Sequence, residues 1–548
     1  VTQSAPSRTI SDARLFAAVL LAALVLASAT ASHNENRTID LVRALAAGRL
    51  SIDADASNTG DRALVDGHYY SGGAPGLAFA LLPAGVFLVR VLAGNALVFA
   101  LTFLGAGVPL ALGTLGVRRA ASAMGAPPER AALVALAHAF GTIALPFATR
   151  LYSHSLVVCL VAWSLALLLE RRRLLLAGRL AAAAVACDYN VALVAAALLA
   201  FAVLRERQGA AWFVLGALPP ALLLGLYQRA CFGSFFATPY DFHADHYTRE
   251  LIKSGYGFSW PRPRIVFALL FGTRRGFLAT QPVALAGLFG LALLARSDRR
   301  ALYALLVSAA VILANAARTY DWFAGASFGP RYSAAALPFL ALGYGAVFER
   351  LGRASAAVLA PSFALALLGA TTDWGYDVHA SFTSAWVAGP RVGSLAAALG
   401  DAPLAVSVGS LVALALLLPL VYATLRGAEG GPVFALGLVG ALAGAPGALH
   451  AFFAGPDAVR AALEDGRRDQ FKRSVAEAGD AREAREYVAQ IVRSGDRELL
   501  TIALHRVLDF EPEDPIAKQL LEKLAAGDGA RREDVKEEEP PKAPDPPK

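Results

Sequence analysis

Charge is what this chain is short of. Of its 548 residues only 17% are charged and 56% are hydrophobic, with a mean hydropathy of +0.50; a water-soluble domain carries about 25% charged residues. A soluble globule of ordinary composition is excluded. The shortage is also uneven: 17 Lys and Arg and 22 Asp and Glu fall in residues 456–548, leaving 33 and 21 for the first 455. Lysine is nearly missing from that first part, where Lys253 stands alone. Cysteine is scarce too. Cys159 and Cys187 lie in apolar segments and Cys231 in a loop, with no paired spacing, which excludes a disulfide framework or a zinc knuckle. The single methionine is Met124 while residue 1 is Val, as expected from an alternative start codon translated literally or from a processed amino terminus.

The net charge of +7 does not point to nucleic acid. The tail is net negative, and the excess arginine sits in short clusters between apolar stretches, the positive-inside pattern of a membrane protein. Residues 13–455 therefore read as a polytopic, all-α membrane domain. A spanning helix needs about 20 apolar residues, and runs that qualify lie at 13–31, 96–117, 130–148, 154–170, 174–187, 190–204, 211–228, 278–295, 301–317, 332–349, 354–371, 403–424 and 432–453, about thirteen in all. The pair 174–187 and 190–204 is short and breaks at Asp188-Tyr189-Asn190. Ala29-Thr30-Ala31-Ser32 resembles a signal-peptidase site, but with so many spans following we read 13–31 as an uncleaved first helix after a cytoplasmic residue 1–12 segment.

With that start cytoplasmic, Arg118-Arg119, Arg171-Arg172-Arg173, Arg205, Arg207, Arg296, Arg299, Arg300, Arg350, Arg353 and Arg426 all fall inside. This requires the apolar stretch 77–92 not to span but to lie on the outer face, anchored by Arg90. The long segments 32–95, 229–277, 318–331, 372–402 and the tail are then extracytoplasmic, where loops of that length usually carry function. The tail divides into a soluble helical part, 456–527, with one degenerate tetratricopeptide-like helix pair ending near Leu520-Leu521, and a disordered acidic, proline-rich end, 528–548.

Candidate chemistry gathers in the outer loops. In His33-Asn34-Glu35-Asn36-Arg37, Glu35 sits where the first helix emerges, a place that can make a carboxylate a general base; a surface pair with Arg37 is the other reading. Asp61 follows in Asn58-Thr59-Gly60-Asp61. His68, Tyr69 and Tyr70, before Pro75-Gly76, suit sugar hydroxyls or phosphate oxygens, or else an interfacial aromatic belt. Arg331 and Tyr332 end Gly329-Pro330-Arg331-Tyr332 at the mouth of an apolar helix, where a guanidinium suits a phosphate or pairs with Asp321. Arg274 and Arg275 are phosphate contacts or interface anchors. Asp241, His243, Asp245 and His246 mix metal-ligand types at no metal-specific spacing, so a divalent cation is possible and none is assigned.

Together these features resemble the GT-C superfamily of multispanning glycosyltransferases, whose familiar members are protein O-mannosyltransferases and lipid A aminoarabinose transferases. The resemblance covers about residues 13–455 and rests on an acid at the head of the first outer loop, a juxtamembrane helix after a Pro-Gly turn, and the number of spans. His68-Tyr69-Tyr70-Ser71 with Pro75-Gly76, Phe232-Gly233-Ser234, Arg275-Gly276-Phe277 with Pro282, and Gly329-Pro330-Arg331-Tyr332 with Pro338 are similar to a bacterial branch of it. The resemblance implies an inner-membrane enzyme that transfers a sugar from a polyprenyl-phosphate donor to an extracytoplasmic acceptor with inversion. It makes Glu35 the base, Asp61 a second acid, and Arg331, His68 and Tyr69 the donor-phosphate group. Two departures stand out: Asn34 occupies the place of a second acid, and Gly73 stands where the branch carries a lysine. The rival classes are a transporter or lipid-carrier flippase, which predicts mid-span charges such as Arg179 and an internal repeat, and a non-catalytic scaffold whose tail recruits a protein partner.

Overall fold

The computed structural model describes residues 10–205, 207–244, 258–272, 275–318, 322, 324, 327–371, 471–472, 475–476, 478, 481–492 and 496–525. The chain separates into two compact units, residues 1–456 and 457–548.

The first unit is a helical bundle with a small polar cap. Its helices are α1 (Asp12–Leu26), α2 (His33–Ala46), α3 (Gly76–Val91), α4 (Gly94–Ala123), α5 (Pro128–Gly141), α6 (Ser153–Leu169), α7 (Leu174–Cys187), α8 (Ala192–Arg205), α9 (Arg207–Phe232), α10 (Pro263–Phe271), α11 (Pro282–Leu294), α12 (Arg299–Ala316), α13 (Leu337–Leu351) and α14 (Ala356–Thr371). A helix stands at every predicted span up to 354–371, and the predicted spans 403–424 and 432–453 lie outside the described residues. Among the described residues, Gly94–Ala123, Arg207–Phe232, Arg299–Ala316 and Arg331–Thr371 are long and apolar enough to cross a membrane by length and composition. The outward surface is apolar as well, with Trp212, Leu222, Leu226, Phe267 and Phe289 all exposed.

Lipid gives two helices little reason to associate through hydrophobicity alone, so close van der Waals contact between small residues does that work. Here glycines set the contacts. A Cβ built on Gly178 of α7 would lie 1.8 Å from the Phe213 carbonyl oxygen of α9, and one on Gly290 of α11 would lie 1.9 Å from the Gly343 carbonyl oxygen of α13.

One end of the bundle collects the arginine-rich loops. Arg118 pairs with Asp12 at 2.7 Å, Arg119 with Glu170 at 2.5 Å and Arg130 with Glu349 at 2.7 Å. Arg300 donates to the Ala123 carbonyl at 3.0 Å, and Arg205 to those of Leu168 and Leu169. Segments far apart in sequence thus meet at a single charged face.

The cap is built on the other end and has its own core. The buried side of α2 (Ile39, Leu41, Val42, Ala44) meets Leu77, Ala78 and Leu81 of α3, Leu97 and Leu101 of α4, and Phe232. Its register explains this in part: Ile39, Leu41, Val42 and Ala44 turn inward together with the carboxylates of Glu35 and Asp40, while His33 stays exposed and Arg37 and Arg43 half-buried. The stretch 77–92, expected to lie flat outside, belongs to the cap: Val42 fills the notch left by Gly85, and α3 starts against the Ala186 carbonyl at the end of α7. The cap also holds a departure from an all-helical reading, a hairpin of β1 (Arg62–Val65) and β2 (His68–Ser71), in register Arg62↔Ser71 and Val65↔His68. Asp66 and Gly67 turn it with φ of 49° and 82°, the left-handed pair of a type I′ hairpin turn.

In the second unit α15 (Ala481–Val492), α16 (Arg497–Phe510) and α17 (Pro515–Ala525) share a core of Leu500, Leu504, Val507 and Leu520. Asp496 caps α16 by accepting from the Leu499 N–H at 3.2 Å. Residues 528–548, expected to be disordered, lie outside the described residues.

Gly290→Val should separate α11 from α13, because its side chain has no room beside the Gly343 carbonyl. Overpacking of this kind costs about 1–3 kcal/mol, so the purified variant is expected to melt several degrees below the wild type in a fluorescence-monitored thermal scan.

Candidate functional site

Where the cap meets the bundle, a cavity of about 620 Å³ is lined by residues from six separate segments. The helices that bring side chains to it have their other ends among the arginine-rich loops: α6 runs from Ser153 toward Glu170, α7 from Leu174 to Cys187, and α12 from Arg299 to Ala316. The cavity therefore lies at the end opposite those loops.

Its first wall comes from the cap. Asn34 and Arg37, three residues apart on α2, share a helix face, and Arg37 pairs with Asp61 at 2.5 Å. Burial opposes the Arg37 charge, yet Asp61 beside it holds the guanidinium above its ordinary pKa. His243 lies 4.0 Å from the other oxygen of Asp61. It is placed by a bridge to Ala63 of β1. Tyr240, pushed well above the ordinary phenol range by burial, keeps its proton and remains a donor.

The second wall comes from the break between α7 and α8. Asp188 ends α7, and its Oδ1 accepts from the Asn190 N–H at 3.0 Å and from the Asn190 side chain at 2.8 Å. Asn190 in turn accepts from Arg318 at 2.5 Å. His154, in the first turn of α6, faces Asp188 with 3.7 Å between Nε2 and Oδ2. The third wall holds Arg318, Arg331 and Tyr332. The Arg318 guanidinium lies 3.8 Å from the Tyr332 ring centroid and 5.2 Å from that of Phe258, while Arg331 lies 5.1 Å from Tyr332 and 5.6 Å from Tyr152. Burial, with Glu35 nearby, pushes the Tyr152 hydroxyl up to about 12. The three guanidiniums outnumber the two carboxylates, Asp61 and Asp188, so the cavity is biased toward an anion. Val157, Leu193, Val194 and Val311 give it an apolar side.

The structure thus brings Arg37, Asp61, Arg331 and Tyr332 together. It does not bring Glu35 there. Glu35 is fully buried, accepts from the Ser32 N–H at 3.0 Å and from the Ser32 hydroxyl, and faces Arg150 at 3.7 Å. The reason is local: Ser32 and Glu35 hold the first and fourth places of a capping box, so the carboxylate turns back over the start of α2. Its partner is Arg150 rather than Arg37. The Ser-x-x-Glu spacing was the signal that would have separated a cap from a base.

His68, Tyr69 and Tyr70 also lie off the cavity wall. His68 is exposed and meets Asp53 at 2.8 Å, Tyr69 lies under Arg62, and Tyr70 packs edge-on against Phe232. Arg275 is buried and donates to the carbonyl and hydroxyl of Ser327, tying down the segment that leads to Arg331. Arg274, Asp321, Asp245 and His246 lie outside the described residues, and Asp241 caps Thr238. Among the described residues no three His, Cys, Asp or Glu gather as metal ligands. Asp188, His154, Asn190 and Arg318 were missed as site residues, although the polar triplet between two short apolar runs marked the place.

Gly73 has a structural counterpart. A Cβ there would lie 2.3 Å from the Arg37 guanidinium, so the space a lysine stem would occupy at position 73 is taken by another cation.

No protein-family model matches the chain, and no curated protein matches it. Among solved structures it is similar to the crystal structure of ArnT from Cupriavidus metallidurans bound to undecaprenyl phosphate, with 16% identity and a TM-score of 0.45 over 85% of this chain and 80% of that one.

Two measurements check these assignments. Glu35→Gln takes away the carboxylate that faces buried Arg150, and breaking such a pair costs about 3–5 kcal/mol. The variant should lose thermal stability, whereas a base role would lower turnover at an unchanged melting temperature. Asp40, buried on α2 with only Asn58 and Arg43 near Oδ1, is raised by burial to about 6. A raised folded-state pKa contributes stability that is complete below the ordinary 3.8 and is lost as pH rises through about 6. Between pH 4 and 6.5 the melting temperature of Asp40→Asn should therefore rise relative to wild type, by the equivalent of roughly 3 kcal/mol at most.

Proposed function

We propose that this chain is a multi-pass membrane glycosyltransferase of the GT-C kind, moving a sugar from a polyprenyl-phosphate donor to an extracytoplasmic acceptor with inversion. The observation that carries the reading is the convergence of Arg37, Arg318 and Arg331 on a cavity that also holds two carboxylates and has an apolar side. A lipid phosphate asks for that combination. Planar guanidiniums bind phosphate oxygens through paired, charge-assisted bonds, and an apolar wall beside them accommodates the start of a hydrocarbon tail.

The chemistry follows from the charges. The acceptor oxygen bonds to the anomeric carbon as that carbon's bond to the phosphate oxygen breaks, the electron pair leaves with the lipid phosphate, and the acceptor's proton passes to a cavity carboxylate. Negative charge then grows where Arg37, Arg331 and the hydroxyl of Tyr332 are available to stabilise it. Asp61 keeps Arg37 aimed at that place through their 2.5 Å pair. The arginine-rich end supports a cytoplasmic orientation for the loops gathered there, which leaves the cavity outside at the inner membrane of a bacterium, and the sequence topology of about thirteen spans puts the tail on the outer side as well. The tail offers a surface for a protein partner, and no cofactor is required by this scheme.

Purified protein in lipid nanodiscs, offered polyprenyl-phosphate-linked pentoses and hexoses, should bind undecaprenyl phosphate and transfer sugar. Arg331→Ala is expected to lower kcat/KM by about 10²-fold or more, and His68→Ala, which lies off the cavity, should stay within twofold of wild type. Absence of both binding and transfer with every donor would overturn the reading.

A further inference from the structure

His154 is a buried imidazole that has no hydrogen-bond partner on either ring nitrogen among the described residues. Its orientation is fixed: the ring stacks on Phe147 at 5.1 Å and 23°, with the Tyr152 ring 6.0 Å away. Burying two polar nitrogens unbonded is unfavourable, and His154 is among the residues that line the cavity.

Asp188 faces it in a matching way. Oδ1 is committed to Asn190, and Oδ2 lies 3.7 Å from His154 Nε2. That separation exceeds a direct hydrogen bond, for which about 2.7–3.2 Å is usual. The two atoms therefore face each other without a direct bond, on residues that both line the cavity. Asp188 pairs with no arginine among the described residues, in contrast to Asp61, which is engaged by Arg37. Asn190 also accepts from Arg318, so the Asp188 carboxylate and one guanidinium of the anionic subsite are held by the same side chain.

We propose that His154 and Asp188 form the acceptor subsite and that it selects a neutral hydroxyl, an inference that rests on the glycosyl-transfer reading. The acceptor oxygen takes a hydrogen bond from His154 Nε2–H and gives one to Asp188 Oδ2. As that oxygen bonds to the anomeric carbon, the carbon–phosphate-oxygen bond breaks, its electron pair leaves with the lipid phosphate, and the acceptor proton passes to Asp188. Only a group that both donates and accepts completes the bridge. A carboxylate has nothing to give Asp188, and an ammonium has nothing to accept from His154 while also facing the guanidiniums of Arg37, Arg318 and Arg331.

The test uses full-length protein in nanodiscs with the same donor panel, an alkyl glycoside as hydroxyl acceptor and the matched alkyl amine as its rival. Asp188→Asn should lower kcat by about 10²–10⁴-fold with undecaprenyl phosphate affinity within threefold of wild type. His154→Phe keeps the stack on Phe147 but has no N–H, and should raise the KM of the glycoside about tenfold. His154→Gln, which restores a donor, should recover most of that loss. The inference is overturned if Asp188→Asn keeps turnover within threefold, if lipid affinity falls in step with turnover, or if the amine is the better acceptor. Wild-type protein that neither binds undecaprenyl phosphate nor transfers sugar would overturn the parent reading as well, which distinguishes the two failures.

Discussion

The buried meeting of Glu35, Ser32 and Arg150 is the contact on which the upper part of this molecule depends. It lies where the cap joins the bundle, with Arg150 also within 3.4 Å of the Thr30 hydroxyl and both charged side chains almost wholly out of solvent. Such a pair contributes little net stability, since desolvation offsets most of the attraction, but it tolerates few alternatives because each charge needs the other. What it supplies is register. With Glu35 turned inward at the third position of α2, Asn34 and Arg37 come round to the cavity side, and the rest of the cap follows through Ile39 and Val42.

The distribution of charge in the membrane unit has the same origin. An ionised side chain facing lipid is expensive, and Arg118, Arg119 and Arg130 pair at the loop-rich end while Arg37, Arg318 and Arg331 turn toward the cavity. Close helix packing at Gly178, Gly216, Gly287 and Gly290 leaves no room there for a larger side chain. Polar groups therefore concentrate where a helix is interrupted. The break at Asp188 is the best example: a continuous helix would need an aspartate within an apolar run, whereas the turn of Tyr189–Val191 lets the carboxylate end α7 and face the cavity.

Much of this architecture is legible in the sequence. Apolar runs mark the helices, arginine clusters mark the loops that share one end, and the triplet at 188–190 marks an interruption. The facing of individual residues is not legible from position alone. Glu35 heads an outer loop as a base would, yet local capping decides its direction, and His68 is as close to the hairpin turn as chain distance suggests but looks outward. The cavity itself has no local signal, because Arg37, Asp188 and Arg318 come from segments more than a hundred residues apart and meet only through packing. The Asp66-Gly67 turn, by contrast, announces its hairpin in two residues, since they form the left-handed pair of a type I′ turn.

The approach of Arg37 to Gly73 has a consequence for how this site evolves. The two positions compete for one volume, so a cation can arrive from the helix or from the loop but not from both. A lineage exchanging one solution for the other must pass through an intermediate that is either crowded or short of a charge. Positions 37 and 73 should therefore change together among relatives.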